Sequence, residues 1–335
     1  LASTMAASAT KAFPSVAYDT FIDNIRFCAD NDALLMDVVK TFYGIAAKMG
    51  VTINEKFEEI RPLQQYTFLG ILFDHEKGSV NIGDKTRNKI KAQIVLIGQA
   101  GFDPEHCFGV SVWASIVTGF QLHKAYHVFK YIRRTLNAKK RDSVEKKIWP
   151  SIVPQWTSWL QSLVDSDGRV VRTETCEQRS TFHIFTDASR TGYGAVIMGG
   201  GAVSIIAGSW QGRQLHKHIN ILEAVAIRFA LQKWNCQAEG NVQLHLHVDN
   251  TSVIATCRKG RSRSFLLNYE VGNIRKVCED KGYKIVSWTY VASANNIADP
   301  MSRLPVYLGK PIEVNATTHN RQQTTSVGIW ERGKV

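Results

Sequence analysis

The sequence predicts an α/β fold in which one mixed five-stranded sheet carries flanking helices. Two observations predict it. Between residues 181 and 305, apolar segments of strand length are interspersed with amphipathic helical segments in the order βββαβααβα. That order favours a single mixed sheet covered by helices. The 335-residue chain is 44% hydrophobic and 21% charged, an ordinary globular composition that is long enough for two or three domains.

Short apolar or alternating runs predict the strands of this sheet, and apolar residues at helical spacing predict the helices. A glycine turn at 199–201 separates the second strand from the third. The five strands are expected at 182–186, 193–198, 203–210, 242–248 and 283–290. The helices are expected at 219–234, 250–258 and 264–281, with a short last helix starting near Asp299.

The first half of the chain shows short strands followed by basic helices. Apolar residues flank Asp23-Asn24, which suits the turn of a hairpin. The elements expected here are a hairpin at 16–28, a helix over 31–49, strands over 65–73 and 79–82, and helices over 84–164. Polar residues with Gly168 then predict a linker, and the polar tail from 306 predicts disorder.

The charge of the chain favours a polyanionic partner. The net charge is +12 and the pI is about 9.4, which suits nucleic acid or an acidic membrane surface. No apolar run reaches the ~20 residues of a membrane span, so no membrane is expected. The six cysteines form no C-x-x-C pair, which argues against a zinc knuckle. They are also too sparse for a disulfide scaffold, which favours a reduced intracellular compartment, cytoplasm or nucleus.

Four carboxylates occupy places where an α/β sheet builds sites. Asp187 and Asp249 end predicted strands, Glu223 lies early in a helix, and Asp299 opens the last helix. Each also has a local explanation, as a turn residue, a capping-box residue after Asn220 or a helix N-cap. Together they favour a cation site, because converging unpaired carboxylates repel one another. Hard oxygen ligands suit Mg²⁺ or Mn²⁺.

The motifs around these carboxylates resemble those of retroelement ribonuclease H. The motifs are Phe-Thr-Asp-Ala-Ser-x-x-Gly-Tyr-Gly-Ala, Ile-Asn-Ile-Leu-Glu-Ala-Val-Ala-Ile, Val-Asp-Asn-Thr-Ser and Asn-Asn-Ile-Ala-Asp-Pro-Met-Ser-Arg. They occur in family order over about 125 residues, and the last is similar to that of gypsy-type and DIRS-type elements. The resemblance implies a ribonuclease H-like fold and a metal-binding, catalytic quartet of Asp187, Glu223, Asp249 and Asp299.

The same resemblance implies the reaction. Two Mg²⁺ or Mn²⁺ ions would support hydrolysis of the RNA strand of an RNA–DNA hybrid, with Asp187 bridging the ions. Many members of the family carry a histidine in the loop before the last Asp, where this chain reads Tyr290-Val-Ala-Ser-Ala-Asn-Asn296. The family's histidine is proposed to help product or proton handling, so its absence puts turnover in doubt rather than cleavage itself.

The first half resembles a reverse transcriptase. Phe21-Ile-Asp-Asn24 is similar to the Tyr-x-Asp-Asp hairpin of the palm, and Phe68-Leu-Gly70 looks like the following primer-grip hairpin. Asn24 replaces the second Asp, and the fingers and earlier palm strand would lie before residue 1. We therefore expect no polymerase activity from a degenerate motif at Asp23 and Asn24.

These observations together predict the C-terminal portion of a DIRS-like, VIPER-type reverse transcriptase and ribonuclease H, in a longer polyprotein. The expected domains are a partial palm (1–83), a helical thumb or connection (84–165), a linker (166–180), the ribonuclease H domain (181–305) and a disordered tail (306–335). Residues expected to hold nucleic acid, with solvated surface charge as the alternative, are Arg258, Lys259, Arg261, Arg263, Arg133 and Arg134.

Two other functions remain open at this point. The chain could be a catalytically inactive, domesticated nucleic-acid-binding module. It could also be an integrase-like or resolvase-like nuclease on the same fold. Cutting of the RNA strand in a hybrid, binding without cutting, and cutting of duplex DNA distinguish the three.

Overall fold

The computed structural model contains two compact units. It describes residues 1–139, 148–171, 179–236, 241–304 and 312–317. The first unit consists of Leu1–Phe120 with Thr157–Thr173, and the second of Gln121–Trp156 with Glu174–Val335.

The first unit combines helices with a hairpin and a small antiparallel sheet. A hydrophobic cluster centred on Val38 and Phe42 packs the early helices against the hairpin. Its helices are α1 (Ala2–Thr10), α2 (Asp32–Lys48), α3 (Asp84–Leu96) and α4 (Pro104–Thr118). Its strands are β1 (Ala17–Phe21), β2 (Asn24–Cys28), β3 (Gln65–Phe68), β4 (Ile71–Asp74), β5 (Ser79–Ile82) and β6 (Arg169–Val170).

The predicted hairpins are present in this unit. β1 pairs with β2 so that Phe21 faces Asn24, which leaves Ile22 and Asp23 as the two-residue turn, one residue earlier than expected. The stretch predicted as one strand over 65–73 is two strands, because Leu69 and Gly70 adopt positive φ angles of 52° and 80° and turn the chain back.

The second unit contains the predicted five strands in one sheet, with two further helices before it. Helices α5 (Tyr126–Lys139) and α6 (Val153–Val164) come first, and the division between units falls inside α6. The strands are β7 (Arg179–Ala188), β8 (Gly192–Gly199), β9 (Ala202–Ser209), β10 (Asn241–Val248) and β11 (Tyr283–Tyr290). The helices between and after them are α7 (Ile219–Lys233), α8 (Thr251–Lys259), α9 (Phe265–Lys281) and α10 (Asp299–Ser302).

The sheet is mixed, as predicted. In the described part of the chain its order is β11-β10-β7-β8-β9-β12, with β10 parallel to both β7 and β11 and the other pairs antiparallel. Its inner face packs on α7 and α9 through a core that includes Ile184, Leu222, Leu244 and Val271. The apolar residues of these strands and helices therefore form one core between the sheet and the helices.

Two segments for which the sequence predicts no strand contribute strands. The tail expected to be disordered contains a sixth strand, β12 (Ile312–Thr317), which pairs antiparallel with β9; residues 305–311 and 318–335 lie outside the described residues. The expected linker contributes β6, which pairs with β5, and its last residues begin β7. Such polar segments become strands through backbone hydrogen bonds to the open edge of a neighbouring strand. The hydrophobic periodicity of a sequence does not predict this pairing.

Candidate functional site

Two parallel strands deliver the first two carboxylates side by side. β7 and β10 are neighbours, and Thr186 lies opposite Val248 in their register. The next residues on the two strands are Asp187 and Asp249, so both carboxylates lie at the same end of the sheet. This is the arrangement that carboxyl ends of parallel strands provide in α/β folds.

Helix α7 supplies the third carboxylate. It begins at Ile219, and its apolar residues bury against the sheet. Glu223 lies on this buried side and is only 3% exposed. A ligand oxygen of Glu223 therefore lies within 4.8 Å of one from Asp187, near the end of β7.

The three carboxylates form one cluster. Ligand oxygens of Asp187, Glu223 and Asp249 all lie within 4.8 Å of one another. One oxygen of each, namely Asp187 Oδ2, Glu223 Oε2 and Asp249 Oδ1, is buried and has no hydrogen-bond partner among the described residues. Buried acceptors without partners are costly, which indicates that a cation completes this cluster.

The raised pKa values of two carboxyl groups in the cluster also indicate a cation site. Burial raises the pKa of Glu223 to about 9, and the charges of Asp249 and Asp187 add to the effect. Burial also raises the pKa of Asp187 to about 6; a hydrogen bond with Ser302 opposes this, while the charges of Asp249 and Asp299 reinforce it. Ionising all three carboxyl groups is therefore costly, and a bound cation would relieve that cost.

Asp299 lies close to the cluster but outside it. It is the first residue of α10, and Arg303 donates to both of its oxygens, at 3.0 Å from Nε and 2.7 Å from Nη2. Its charge still contributes to the raised pKa of Asp187. The structure thus brings three of the four predicted carboxylates into one cluster and pairs the fourth with an arginine.

The local explanations for the three clustered carboxylates do not hold in the structure. His218, rather than Asn220, is the N-cap of α7, so Glu223 is not part of a capping box. Asn250 caps α8 by accepting from the N–H of Val253, at 3.0 Å, which leaves Asp249 available. Asp187 lies within β7 rather than in a turn.

The loop before Asp299 contains two polar residues that the sequence reading missed. The hydroxyl of Ser293 donates to Asp249 Oδ2 at 2.9 Å. The amide of Asn296, which is buried, donates to the carbonyl of Thr186 at 2.9 Å and fixes the loop to the end of β7. Their signal was their place in the loop where the family carries a histidine.

The other predicted residues do not belong to the carboxylate cluster. Asp23 and Asn24 are exposed at the hairpin of the first unit, where Asn24 donates to Asp23 Oδ1 at 3.4 Å. The six predicted basic residues all belong to the second unit. They comprise Arg133 and Arg134 on α5, Arg258 and Lys259 at the end of α8, and Arg261 and Arg263 in the loop before α9.

Part of the second unit matches a known domain family. Residues 177–268 match the model described as the RNase H-like domain found in reverse transcriptase. The match includes the three clustered carboxylates and ends before Asp299. With the strand order and the helices on the sheet, it confirms the ribonuclease H-like fold class that the sequence predicted.

Solved structures with some likeness to this chain include viral and cellular proteins. The foamy viral protease-reverse transcriptase dRH in complex with ds DNA has a TM-score of 0.39 and 11% identity, over 84% of this chain and 47% of that one. The foamy viral protease-reverse transcriptase in complex with dsDNA has a TM-score of 0.39 and 13% identity, over 85% and 57%. RNase H1 from the halophilic archaeon Halobacterium salinarum NRC-1 has a TM-score of 0.25 and 18% identity, over 37% and 94%.

The chain spans about half the length of the two foamy viral chains. No curated protein gives a significant match. Within the described ranges, every helix is too short or too polar to cross a bilayer.

Proposed function

We propose that the second unit hydrolyses the RNA strand of RNA–DNA hybrids with two divalent metal ions. One observation carries the proposal: three carboxylates from β7, α7 and the end of β10 meet with a buried, unpartnered oxygen on each. The match of residues 177–268 to the reverse-transcriptase RNase H-like domain gives this cluster its chemical context.

The donor set fits Mg²⁺ or Mn²⁺. Asp187, Glu223 and Asp249 offer only carboxylate oxygens, which are the hard ligands that these ions prefer. When bound, such ions lower the pKa of an attacking water and neutralise the charge that develops on the phosphate. Asp299 is the fourth proposed ligand, and binding through it would require its carboxylate to leave Arg303.

The chain's own residues prepare the site before any ion binds. Ser293 holds Asp249 Oδ2, so Oδ1 is left to face Asp187 and Glu223. Rigid strand ends and a buried helix position the carboxylates, which limits the reorganisation needed on binding. Ribose 2′-hydroxyls and the minor groove of the hybrid would select the RNA strand.

We further propose that the chain comes from a retroelement reverse transcriptase with a ribonuclease H domain. The DIRS-like, VIPER-type assignment remains a prediction, as do the palm and thumb of the first unit. Polymerase activity is not expected, because Asn24 offers an amide where the palm motif has a second carboxylate. Asp19, on the same hairpin, is engaged by Arg26, whose Nε donates to it at 3.0 Å.

A cleavage assay with defined substrates tests the proposal. We expect Mg²⁺-dependent cutting of RNA only in a hybrid, loss of cutting in EDTA, and loss in Asp249→Asn by at least about 100-fold, since metal stabilisation of charge contributes several kcal/mol. Asp280→Asn, which makes the same chemical change at an exposed site on α9, is the matched control and should retain activity.

Other outcomes would overturn it. Tight hybrid binding without cutting would support an inactive binding module. Cutting of duplex DNA would support the integrase-like or resolvase-like alternative. Equal activity of the Asp249→Asn and Asp280→Asn variants would show that the cluster is not the site of catalysis.

A further inference from the structure

Three histidines lie on the face of the second unit's sheet that points away from α7 and α9. β7 and β10 are parallel neighbours, and His183 lies opposite His245 in their register. His247 follows two residues later on β10 and therefore shares the face of His245. Leu244 and Leu246, which alternate with these histidines, are fully buried in the core on the other face. We name the three histidines the histidine cluster.

Two nitrogens of the histidine cluster are close enough to share one metal ion. His183 Nδ1 and His247 Nε2 lie 3.0 Å apart, which is a hydrogen-bond distance. A tetrahedral ion with bonds of about 2.0–2.1 Å needs its ligand nitrogens roughly 3.3–3.4 Å apart. A small rotation of the two rings therefore makes room for an ion between the nitrogens.

Neighbouring rings hold both of these imidazoles in place. The ring of Phe185 stacks on that of His247, with centroids 4.3 Å apart and an interplanar angle of 10°. The ring of His245 stacks on that of His183, with centroids 4.9 Å apart and an angle of 16°. His245 is itself fixed by Ser287 on β11, whose Oγ lies 2.7 Å from His245 Nδ1. Such support limits the reorganisation that ion binding requires.

The donor atoms of the histidine cluster differ from those of the carboxylate cluster. Imidazole nitrogens suit borderline ions such as Zn²⁺, Ni²⁺ and Cu²⁺, whereas carboxylate oxygens suit Mg²⁺ and Mn²⁺. The residues paired with the histidines on β8 and β11 are Met198, Ser287 and Thr289, which are uncharged. His183 is exposed, so water reaches the pair of nitrogens. The cluster therefore offers nitrogen ligands with open positions for water.

We propose that His183 Nδ1 and His247 Nε2 bind one borderline transition-metal ion, for which Zn²⁺ is the probe, with water completing its coordination. The ion replaces the proton between the two nitrogens. That proton passes through water to the other nitrogen of the ring that carried it, so both imidazoles stay neutral. Bound there, the ion joins β7 to β10, the strands that position Asp187 and Asp249.

Zinc binding to the full chain tests the proposal. Calorimetric titration with ZnCl₂ is carried out in excess Mg²⁺, which competes for the carboxylate cluster. His183→Gln combined with His247→Gln removes both ligands, and we expect its Zn²⁺ affinity to be at least about 10-fold lower. Even loss of a group that only orients a metal ligand costs about 10- to 100-fold.

Two control variants separate the histidine pair from its surroundings. His106→Gln combined with His127→Gln removes the same number of imidazoles from exposed positions on α4 and α5 and should bind Zn²⁺ as the unaltered protein does. His245→Phe keeps a ring stacked on His183 without a ligand nitrogen and should also retain the affinity.

Two outcomes would overturn the proposal. One is equal Zn²⁺ affinity of the unaltered protein and the variant that lacks both His183 and His247. The other is loss of Zn²⁺ binding in Asp249→Asn, because the ion would then lie at the carboxylate cluster. Cleavage is not part of this measurement, so the proposed nuclease function is tested separately.

Thermal unfolding provides a second readout that tolerates a change in basal stability. An ion that binds the folded chain raises its melting temperature. In excess Mg²⁺, Zn²⁺ should raise the melting temperature of the unaltered protein and of the His106→Gln, His127→Gln variant, but not that of the His183→Gln, His247→Gln variant. The comparison is between zinc-induced shifts, so a lower starting temperature does not affect it. Equal shifts in all three proteins would contradict the site.

Discussion

The buried carboxyl of Glu223 makes stability depend on pH when no metal is present. Its pKa is about 9 in the folded chain, against an ordinary value of 4.5. The folded state therefore binds a proton that the unfolded state releases between these values, so stability falls as pH rises through this window and levels off above it. Asp187, with a pKa of about 6, adds to the fall at its acidic end.

We therefore expect the melting temperature of metal-free protein to decrease from about pH 4.5 to about pH 9, and Mg²⁺ to restore it at high pH. Glu223→Gln should flatten this dependence, because the amide cannot ionise. Glu76→Gln, an exposed control, should not. Thermal unfolding in buffers across this range measures the effect, and parallel curves for the two variants would contradict it.

Ser293 is a positioning residue for Asp249. Its hydroxyl fixes one carboxylate oxygen at 2.9 Å and leaves the other unpartnered among the described residues. Ser293→Ala should weaken Mn²⁺ binding about 10- to 100-fold, the usual cost of losing a group that orients a metal ligand. Ser293→Thr keeps the hydroxyl and should retain most of the affinity. Calorimetric titration with Mn²⁺ measures this, and equal affinities for the Ala variant and the unaltered protein would refute the role.

At the scale of elements, the short helix α10 depends on a close approach to β8. A Cβ atom on Gly194 would lie 2.6 Å from Met301 Cβ, 2.6 Å from Ser302 N and 2.8 Å from the carbonyl oxygen of Ala298. Glycine is needed here for space. Because Gly194 faces Asp187 across the β7–β8 ladder, the same approach places α10 beside the carboxylates.

Gly194→Ala should therefore destabilise the protein by about 1–3 kcal/mol, as overpacking does, and should also weaken Mn²⁺ binding. Gly44→Ala is the matched control, since nothing lies within 4 Å of its added Cβ inside α2. That change should stabilise by about 0.5–1 kcal/mol, because alanine restricts the unfolded chain. Chemical denaturation measures both, and similar effects of the two changes would contradict the packing argument.

At the scale of the whole molecule, the units do not follow the domain boundaries expected from the sequence. The expected ribonuclease H domain starts at 181, yet residues 121–156 group with it. These residues carry buried side chains such as Val128 and Tyr131, and they accept the hydrogen bond from Asn268. The second unit thus begins well before the residues that carry the ribonuclease H-like motifs.

A fragment covering 166–335 should consequently be less stable than one covering 121–335. Loss of the Asn268 bond and of the contacts of Phe265 should cost at least about 1 kcal/mol, which lowers the melting temperature of a domain of this size by about 2–4 °C. Thermal scans of the two fragments at equal concentration measure the difference. Identical melting temperatures would mean that residues 121–156 are not an integral part of the unit.

The sequence by itself determined the order of elements in the sheet of the second unit and the three carboxylates that cluster at its edge. The alternation of apolar and polar residues in strands and the helical spacing of apolar residues are local patterns. Each indicates which side of its own segment is buried, so the element order βββαβααβα could be predicted from the sequence. The motifs around Asp187, Glu223 and Asp249 are also local strings.

Only the tertiary structure decided which of these residues meet. It grouped three carboxylates within 4.8 Å, paired Asp299 with Arg303 and placed Ser293 on Asp249. It also joined α5 to the start of α9 and added β12 to the edge of the sheet. Such contacts join residues far apart in the chain, and they depend on how whole elements pack, which no local periodicity encodes.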